Sequence, residues 1–467
     1  MGVQVFEGER PAASRSRHLG VLMLTEVEQT KRLGPVLRDG TRLLDLIDLD
    51  ARAVSMRVLI DPEIHQLEMD RVFARAWTGL AHESEIPNPG DFVLRAIGED
   101  GVIVTRDRDG GINVLLNACS HRGMEVCWGD RGNSSSFKCP YHGWSFDNTG
   151  KLLGAPYEQK VYGDWDKSLY PLETARVAVR HGAIFATFGK DTPSFEDYMG
   201  DFMWYFDNTL GGCEWEPLGP PTRTLWKGNW KIQADQFSGD AYHGTTLHSG
   251  FVELGLPDPA SQLDNVKVSI PGTGHFSWTL VPGLTARMRE GAADTSALPG
   301  GVVVDIDRKL HGTDNFINFA FPATTINGQG AEILRDWTGT DPNIGRRALI
   351  GQLAPVGVGN FENWEVLLVA KGTPEEMKKQ MRAMTTLTAV IAADDSQQME
   401  SMQRVAVGSV GRRQTMKHFS TIGEPTERTG LMANWEGPGD LYAGVSRDDT
   451  QWIFWKHWFD VMTSDVA

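Results

Sequence analysis

Two short Cys/His motifs constrain this chain more than any other feature. Cys119 and His121 are separated by one residue, Cys139 and His142 by two, and seventeen residues lie between the two motifs. Zinc accepts the same four ligands, but finger-type zinc sites take both cysteines from one motif and both histidines from the other. A Rieske-type [2Fe–2S] cluster needs two cysteines on one iron and two histidines on the other, which suits two mixed motifs. The pattern predicts such a cluster, with a structural zinc site as the alternative.

Composition limits the partners and the compartment. The chain has 467 residues and a formal net charge of −16, which argues against nucleic acid or an anionic membrane as a partner. Cys127 and Cys213 remain outside the two motifs, so the four cysteines are not a disulfide framework, and we expect a reducing cytoplasm. No run approaches eighteen apolar residues, so no membrane span is predicted.

The pattern of hydrophobic residues predicts an α+β fold with three parts. Residues 1–69 form an N-terminal arm and a helix that packs on the catalytic domain. Residues 70–190 form a small antiparallel β domain with the metal loops, and 191–467 form a larger antiparallel sheet covered by helices. Helices are predicted over 61–77, 194–210, about 374–404 and the aromatic C-terminal segment. The Gly- and Ala-rich stretch 281–301 is predicted to be a mobile loop that gates a pocket.

A second group of ligand types follows in NWKIQADQFSGDAYHGTTLHSG. His243 and His248 are five residues apart, about 140° around a helix, so both imidazoles reach one ion only at a bent helix or a helix end. Two histidines and a carboxylate leave positions on Fe(II) open for O₂ and substrate. Asp394 and Asp395 interrupt an apolar stripe near Ile391, and periodicity alone does not choose between them. A solvated acidic pair is the alternative reading.

Together these motifs resemble the large (α) subunit of the Rieske non-haem iron aromatic-ring-hydroxylating dioxygenases, most closely the actinobacterial members that attack polycyclic aromatic hydrocarbons or phthalate. The likeness includes VFARAWTGLAHESEIPNPGDFV, CPYHGW, NWK with GDAYHGTTLH, and the DD-x₄-E segment, and it weakens after Asp395. It implies that His243, His248 and Asp395 bind a mononuclear Fe(II) and that Asp240 is the bridging carboxylate. Gln236 stands near the iron, where many relatives carry Asn or Glu. Phe237, one turn before Asp240, is predicted to line the substrate pocket.

The resemblance also implies a reaction and partners. An NAD(P)H-dependent reductase and a ferredoxin pass electrons to the cluster of one subunit, which lies near the mononuclear iron of its neighbour. Asp240 bridges the neighbour's His142 and the local His243. Both atoms of O₂ are added to one face of an aromatic ring, giving a cis-dihydrodiol. A small β subunit and an α₃β₃ hexamer are expected.

The substrate is the least constrained prediction. Four cations, Arg287, Arg289, Arg308 and Lys309, would hold an aromatic carboxylate such as phthalate if they pointed inward. Without a clear cationic anchor, an aromatic hydrocarbon in a mostly apolar pocket is the first prediction and the carboxylate the second. A Rieske electron carrier without oxygenase activity is the alternative from another class.

Overall fold

The fold was analysed in a computed structural model. It describes residues 34–250, 266–280, 302–305, 314–334, 344–391, 393–420, 422–433, 435–444 and 447–464. The predicted loop 281–301, the four cations named above and most of the N-terminal arm lie outside these residues. Among the described residues, no helix is both long and apolar enough to span a bilayer.

Three small antiparallel sheets build the cluster-bearing region. A four-stranded sheet has the order β6-β5-β4-β7, and two three-stranded sheets have the orders β10-β9-β8 and β11-β12-β3. The strands are β3 Thr78–His82, β4 Asp91–Ile97, β5 Asp100–Arg106, β6 Ile112–Leu116, β7 Arg131–Asn133, β8 Ser136–Lys138, β9 Ser145–Asp147, β10 Leu152–Gly154, β11 Arg176–Arg180 and β12 Ala183–Thr187. A turn at Asp109-Gly110 joins β5 to β6, with Gly110 at a φ of +89°.

A large antiparallel sheet forms the second half of the chain. Ten of the described strands belong to it, and eight of them run in the order β13-β21-β20-β19-β18-β16-β15-β23, while β14 pairs with β21 and β17 with β19. They are β13 Trp215–Pro217, β14 Thr222–Trp226, β15 Val266–Ile270, β16 His275–Leu280, β17 Val302–Asp305, β18 Asp314–Ala320, β19 Thr324–Leu334, β20 Arg346–Pro355, β21 Phe361–Ala370 and β23 Asp440–Ala443. The predicted α+β architecture is therefore confirmed.

Helices pack on and around this sheet. They are α1 Pro62–Arg71, α2 Glu158–Val161, α3 Phe195–Met199, α4 Phe202–Leu210, α5 Trp230–Phe237, α6 Gly244–Leu247, α7 Glu375–Ile391, α8 Ala393–Val407 and α9 Asp449–Thr463. Short 3₁₀ helices are Leu43–Leu46, Met56–Leu59, Phe73–Arg75, Glu83–Glu85, Lys167–Leu169, Gly411–Arg413 and Gly430–Met432.

Two predicted helices are shorter than the sequence indicated. Asp61 caps α1 as expected, its carboxylate accepting from the Glu63 N–H at 2.9 Å. The helix ends at Arg71 rather than 77, because a 3₁₀ turn brings Phe73 edge-on to Trp230, with ring centroids 5.1 Å apart. The predicted helix 194–210 is two helices, because Gly200 takes a left-handed φ of +48° between them.

The N-terminal and C-terminal segments meet on the catalytic half. Strands β1 Ile47–Asp48, β2 Ala53–Ser55 and β22 Thr415–Lys417 form one small sheet in the order β1-β2-β22. The Arg71 guanidinium donates to the Met462 carbonyl of α9 at 2.9 Å. The boundaries predicted at 69/70 and 190/191 remain predictions.

Trp364 of β21 joins the cluster-bearing region to the large sheet. The Arg95 guanidinium of β4 lies 4.4 Å from the centre of its ring, and that of Arg223 on β14 lies 4.9 Å from it. Arg223 also pairs with Glu362 at 2.6 Å and reaches Asp130, beyond the cluster loop, at 3.5 Å. Stacked guanidinium groups on an indole are favourable cation–π contacts.

A buried ion pair holds three helices together in the core. Glu68 of α1 and Lys231 of α5 are fully buried, with 2.6 Å between the carboxylate and the amine. The indole N–H groups of Trp230 and Trp458 donate to the same carboxylate at 3.1 and 2.9 Å. Because the carboxylate accepts from two indoles as well as the amine, its charge is well compensated although the site is fully buried.

Replacing Lys231 with Met retains most of the side-chain volume and removes the charge. We expect the free energy of unfolding to fall by about 3–5 kcal/mol, because Glu68 is left as an uncompensated buried charge. Urea denaturation followed by tryptophan fluorescence measures the loss.

Lys371→Met is the matched control, since Lys371 pairs with Glu214 at 2.7 Å on the surface. It should change the free energy of unfolding by less than about 1 kcal/mol. Glu68→Gln combined with Lys231→Met should recover part of the loss. An equal loss in the double variant would contradict the explanation by uncompensated charge.

Candidate metal centres

Two loops of the same construction carry the Cys/His motifs. The Cys119 N–H donates to the Met124 carbonyl and the Cys139 N–H to the Trp144 carbonyl, at 2.8 and 2.7 Å. In each loop a glycine four residues after the cysteine, Gly123 or Gly143, donates back to the cysteine carbonyl and has a φ of +74°. The left-handed glycine closes each loop so tightly that the cysteine and the histidine are presented on the same side.

The four predicted cluster ligands come together at the tips of these loops. Both cysteines are buried, and the rings of His121 and His142 lie 4.7 Å apart at 73°. Burial raises the pKa of the Cys119 thiol, an effect that the N–H groups of residues 121 and 122 partly offset and that neighbouring Cys139 adds to. The Nδ1 atom of His121 is buried with no hydrogen-bond partner in the described residues. This donor set fits a [2Fe–2S] cluster, in which Nδ1 gains a metal partner.

Aromatic side chains cover one side of this group. The Trp144 indole lies 4.7 Å from the His121 ring and stacks within 9° of parallel. Its N–H donates to the Tyr162 hydroxyl at 3.0 Å. Trp144 is 3% exposed, so it keeps water from this face of the histidine. Cys127 is buried in the same core, and its thiol faces the Gly129 carbonyl at 3.8 Å.

The second group of predicted ligands also comes together. The ligand atoms of His243, His248 and Asp395 lie within 4.8 Å of one another. Asp395 Oδ1 is 3.6 Å from His243 Nε2 and 3.3 Å from His248 Nε2. Two imidazoles and a carboxylate form the facial set that non-haem Fe(II) oxygenases use. The structure places Asp395 in this group, which the periodicity of the sequence left open between Asp394 and Asp395.

Local structure explains how the two histidines meet. His243 immediately precedes the four-residue helix α6, and His248 immediately follows it with φ −97° and ψ 20°. The two rings lie 5.1 Å apart. The predicted helix end is therefore present, and it turns His248 back toward His243.

Asp240 contacts His243 from the side opposite Asp395. Asp240 Oδ2 lies 3.3 Å from His243 Nδ1, and the His243 N–H donates to Asp240 Oδ1 at 3.2 Å. Burial acts to lower the pKa of His243, but the hydrogen bond and charge of Asp240 outweigh burial and raise it. A carboxylate at Nδ1 fixes the tautomer that leaves Nε2 as a lone-pair donor. His243 is thus oriented to bind a metal through Nε2.

Gln236 contacts two residues of the ligand group directly. Its Nε2 is 2.9 Å from His243 Nε2 and 3.0 Å from Asp395 Oδ1. Its Oε1 is buried and has no hydrogen-bond partner in the described residues. Phe237 is partly buried against the main hydrophobic core, and its place in a substrate pocket stays a prediction.

Several neighbours of the ligands could not be identified from the sequence. Tyr242, the residue before His243, is 61% exposed and does not pack in the core. Gln403 and Asn229 are two buried polar residues that join α8 to the start of α5, the Asn229 N–H donating to Gln403 Oε1 at 3.0 Å. Lys267, 2% exposed on β15, lies behind Asp240. Of these residues, only Gln403 could have been identified from the sequence, because it lies eight residues after Asp395 on the same face of one helix.

Comparison with known proteins places these two centres in context. A family model described as the Rieske [2Fe-2S] domain matches residues 76–173. The α subunit of chlorobenzene dioxygenase from Cupriavidus sp. (strain PS12) is 31% identical over 446 residues, covering 90% of this chain and 93% of that protein. The α subunit of N,N-dimethyl phenylurea N-demethylase from Sphingobium sp. (strain YBL2) is also 31% identical, covering 92% and 97%.

A solved structure agrees with the sequence comparison. Naphthalene 1,2-dioxygenase from Rhodococcus sp., bound to indole, matches with a TM-score of 0.72 and 31% identity over 89% of this chain and 95% of that one. The chain belongs to the family of α subunits of the Rieske aromatic-ring-hydroxylating dioxygenases. It is accordingly an oxidoreductase with a Rieske [2Fe–2S] domain.

Cys119→Ser should abolish the cluster, because a serine hydroxyl does not replace a thiolate on iron. Acid-labile sulfide and the visible absorption of the purified protein measure it. Cys127→Ser, which alters a cysteine in the same core, should keep both signals. Loss of the cluster in the second variant but not in the first would contradict the ligand assignment.

Proposed function

We propose that this chain is the terminal oxygenase subunit of a multicomponent dioxygenase that cis-dihydroxylates an aromatic hydrocarbon. The observation that carries the proposal is the group of His243, His248 and Asp395 within 4.8 Å in a chain that also has a Rieske domain. An electron carrier has no use for a second open ligand set. The overall reaction consumes O₂, two electrons from NAD(P)H and two protons, and both oxygen atoms enter the product.

The second centre is proposed to hold one Fe(II) per chain. When bound there, the iron supplies the position at which O₂ is activated, while the cluster is the source of electrons. The protein contributes the orientation of each ligand: Asp240 fixes the His243 ring, and Gln236 reaches between His243 and Asp395.

Asp395→Ala should lower iron from about three to about two atoms per chain, because two imidazoles alone are a weak set. Elemental analysis gives the count, and an unchanged cluster absorption shows that the Rieske domain is intact. Asp394→Ala is the matched control and should retain about three atoms. If Asp394→Ala loses the iron instead, the ligand is one residue earlier in the chain.

The nature of the substrate is inferred from relatives. Two of the three relatives reported above are named for chlorobenzene and naphthalene, two uncharged aromatic rings, and the third for an N,N-dimethyl phenylurea, which is also uncharged; this supports an uncharged aromatic ring as the first choice. An aromatic carboxylate such as phthalate is the second choice, and it requires a cation at the pocket.

Labelled O₂ tests the reaction. The purified oxygenase, supplied with electrons by a surrogate reductase and ferredoxin, is offered naphthalene, chlorobenzene, phthalate and an N-methyl phenylurea under ¹⁸O₂. We expect a dihydrodiol carrying both labelled atoms from at least one of the hydrocarbons, measured by mass spectrometry. Turnover of phthalate alone would favour the second choice. A product with one labelled atom, or loss of a methyl group from the urea, would contradict dihydroxylation.

The partners follow from the same proposal. As an α subunit, the chain is expected to assemble with a small β subunit into an α₃β₃ hexamer and to receive electrons from a ferredoxin and an NAD(P)H-dependent reductase. We propose that Asp240 passes electrons between His142 of a neighbouring copy and the local His243. A carboxylate that accepts from two ligand imidazoles joins the two centres through hydrogen bonds.

A further inference from the structure

A buried lysine lies behind the turn that carries Asp240. Lys267 of β15 is 2% exposed and pairs in register with Tyr442 of β23 and Trp278 of β16. Its amine donates to the Arg447 carbonyl at 2.6 Å. Lysine is seldom fully buried without a compensating charge, so its burial on this strand needs a reason.

The lysine stem packs directly on the turn. Gly239 has a φ of +144°, and a Cβ there would lie 3.0 Å from Lys267 Cδ and 2.2 Å from Thr450 Oγ1. Any larger residue would push the turn away from β15 and α9. Asp240 follows at once, so its position depends on how closely Gly239 lies against Lys267.

The charged groups around the Lys267 amine also connect this residue to Asp240. Burial lowers the pKa of Lys267 to about 8, and Asp240, Asp448 and Asp449 oppose that effect while Arg447 adds to it. Asp449 already pairs with Arg447 at 2.6 Å, and Asp448 accepts from the Ser420 N–H at 2.8 Å. Burial acts to raise the pKa of Asp240, but the hydrogen bond and charge of His243, together with the charge of Lys267, outweigh burial and lower it.

We propose that Lys267 is a positioning residue for Asp240, holding the turn and the charge that direct this carboxylate at His243 Nδ1. The inference rests on the proposed role of Asp240 in passing electrons between the two centres. It assigns Lys267 no contact with substrate or metal. Its effect on turnover passes through Asp240.

A double-mutant cycle tests this connection. Lys267→Met should slow product formation in a single turnover of the pre-reduced oxygenase about tenfold, with KM and iron content unchanged. Asp240→Asn should slow it further and keep both metal sites filled. In the Asp240→Asn background, Lys267→Met should have no additional effect, because the group it positions is gone. Slowing by the same factor in both backgrounds, or no slowing in either, would overturn the inference.

Two further variants separate charge from packing. Lys267→Arg keeps the cation and should stay within about threefold of the unaltered protein, whereas Lys267→Gln should resemble Lys267→Met. If the Lys267→Met variant does not fold, the Arg and Gln variants still test the inference. Crystal structures of the metal-depleted proteins add a readout without turnover: the 3.3 Å separation of Asp240 Oδ2 from His243 Nδ1 should lengthen in the Gln variant and persist in the Arg variant. An unchanged separation in the Gln variant counts against the inference.

The double-mutant cycle distinguishes a failure of the role proposed for Asp240 from a failure of the inference on Lys267. If Asp240→Asn alone turns over normally, the role proposed for Asp240 fails. If Asp240→Asn is slow and the effects of the two substitutions add, only the inference on Lys267 fails.

Discussion

The contact between helices α5 and α8 brings Asp395 to His243 and His248. Asp395, Met399 and Gln403 are spaced by four on one face of α8, and each meets the segment 228–236. Met399 Cβ lies 3.0 Å from where a Cβ of Gly228 would be, Gln403 binds the cap of α5, and Asp395 accepts from Gln236 at 3.0 Å. Three contacts along about two helical turns fix both the rotation and the height of α8. A carboxylate far along the chain is thereby placed beside two histidines within the precision that a metal requires.

The sequence alone predicted those parts of the sites whose residues lie close together in the chain. Each cluster loop contains its own cysteine, histidine and left-handed glycine within five residues, so the motif encodes both the ligands and the geometry. The turn between His243 and His248 was also predictable, since five residues on a regular helix do not bring two imidazoles to one ion. The choice between Asp394 and Asp395 required the structure, because three and four residues past Ile391 both point toward the core.

Tertiary contacts explain the other differences. Helix α1 is shorter than its apolar stripe predicts because Phe73 packs on Trp230, which lies far along the chain. Lys231 and Lys267 resemble ordinary solvated charges in the sequence, and each is buried because its partners come from distant segments, Glu68 for one and Asp240 with Arg447 for the other. Single-sequence patterns describe faces of helices and strands, and they carry no information about which face meets which.

The C-terminal segment supplies contacts to α5 and to the turn that carries Asp240. Trp455 and His418 both contact Asp235 of α5, at 3.0 and 3.2 Å. Thr450 lies against Gly239, and the Arg447 carbonyl accepts from Lys267 at 2.6 Å. None of these residues is a predicted ligand. Substitutions in this segment therefore alter the orientation and electrostatics of Asp240 and α5 while the ligand set stays the same. Outer contacts of this kind tune the orientation and basicity of ligands to which they do not themselves belong.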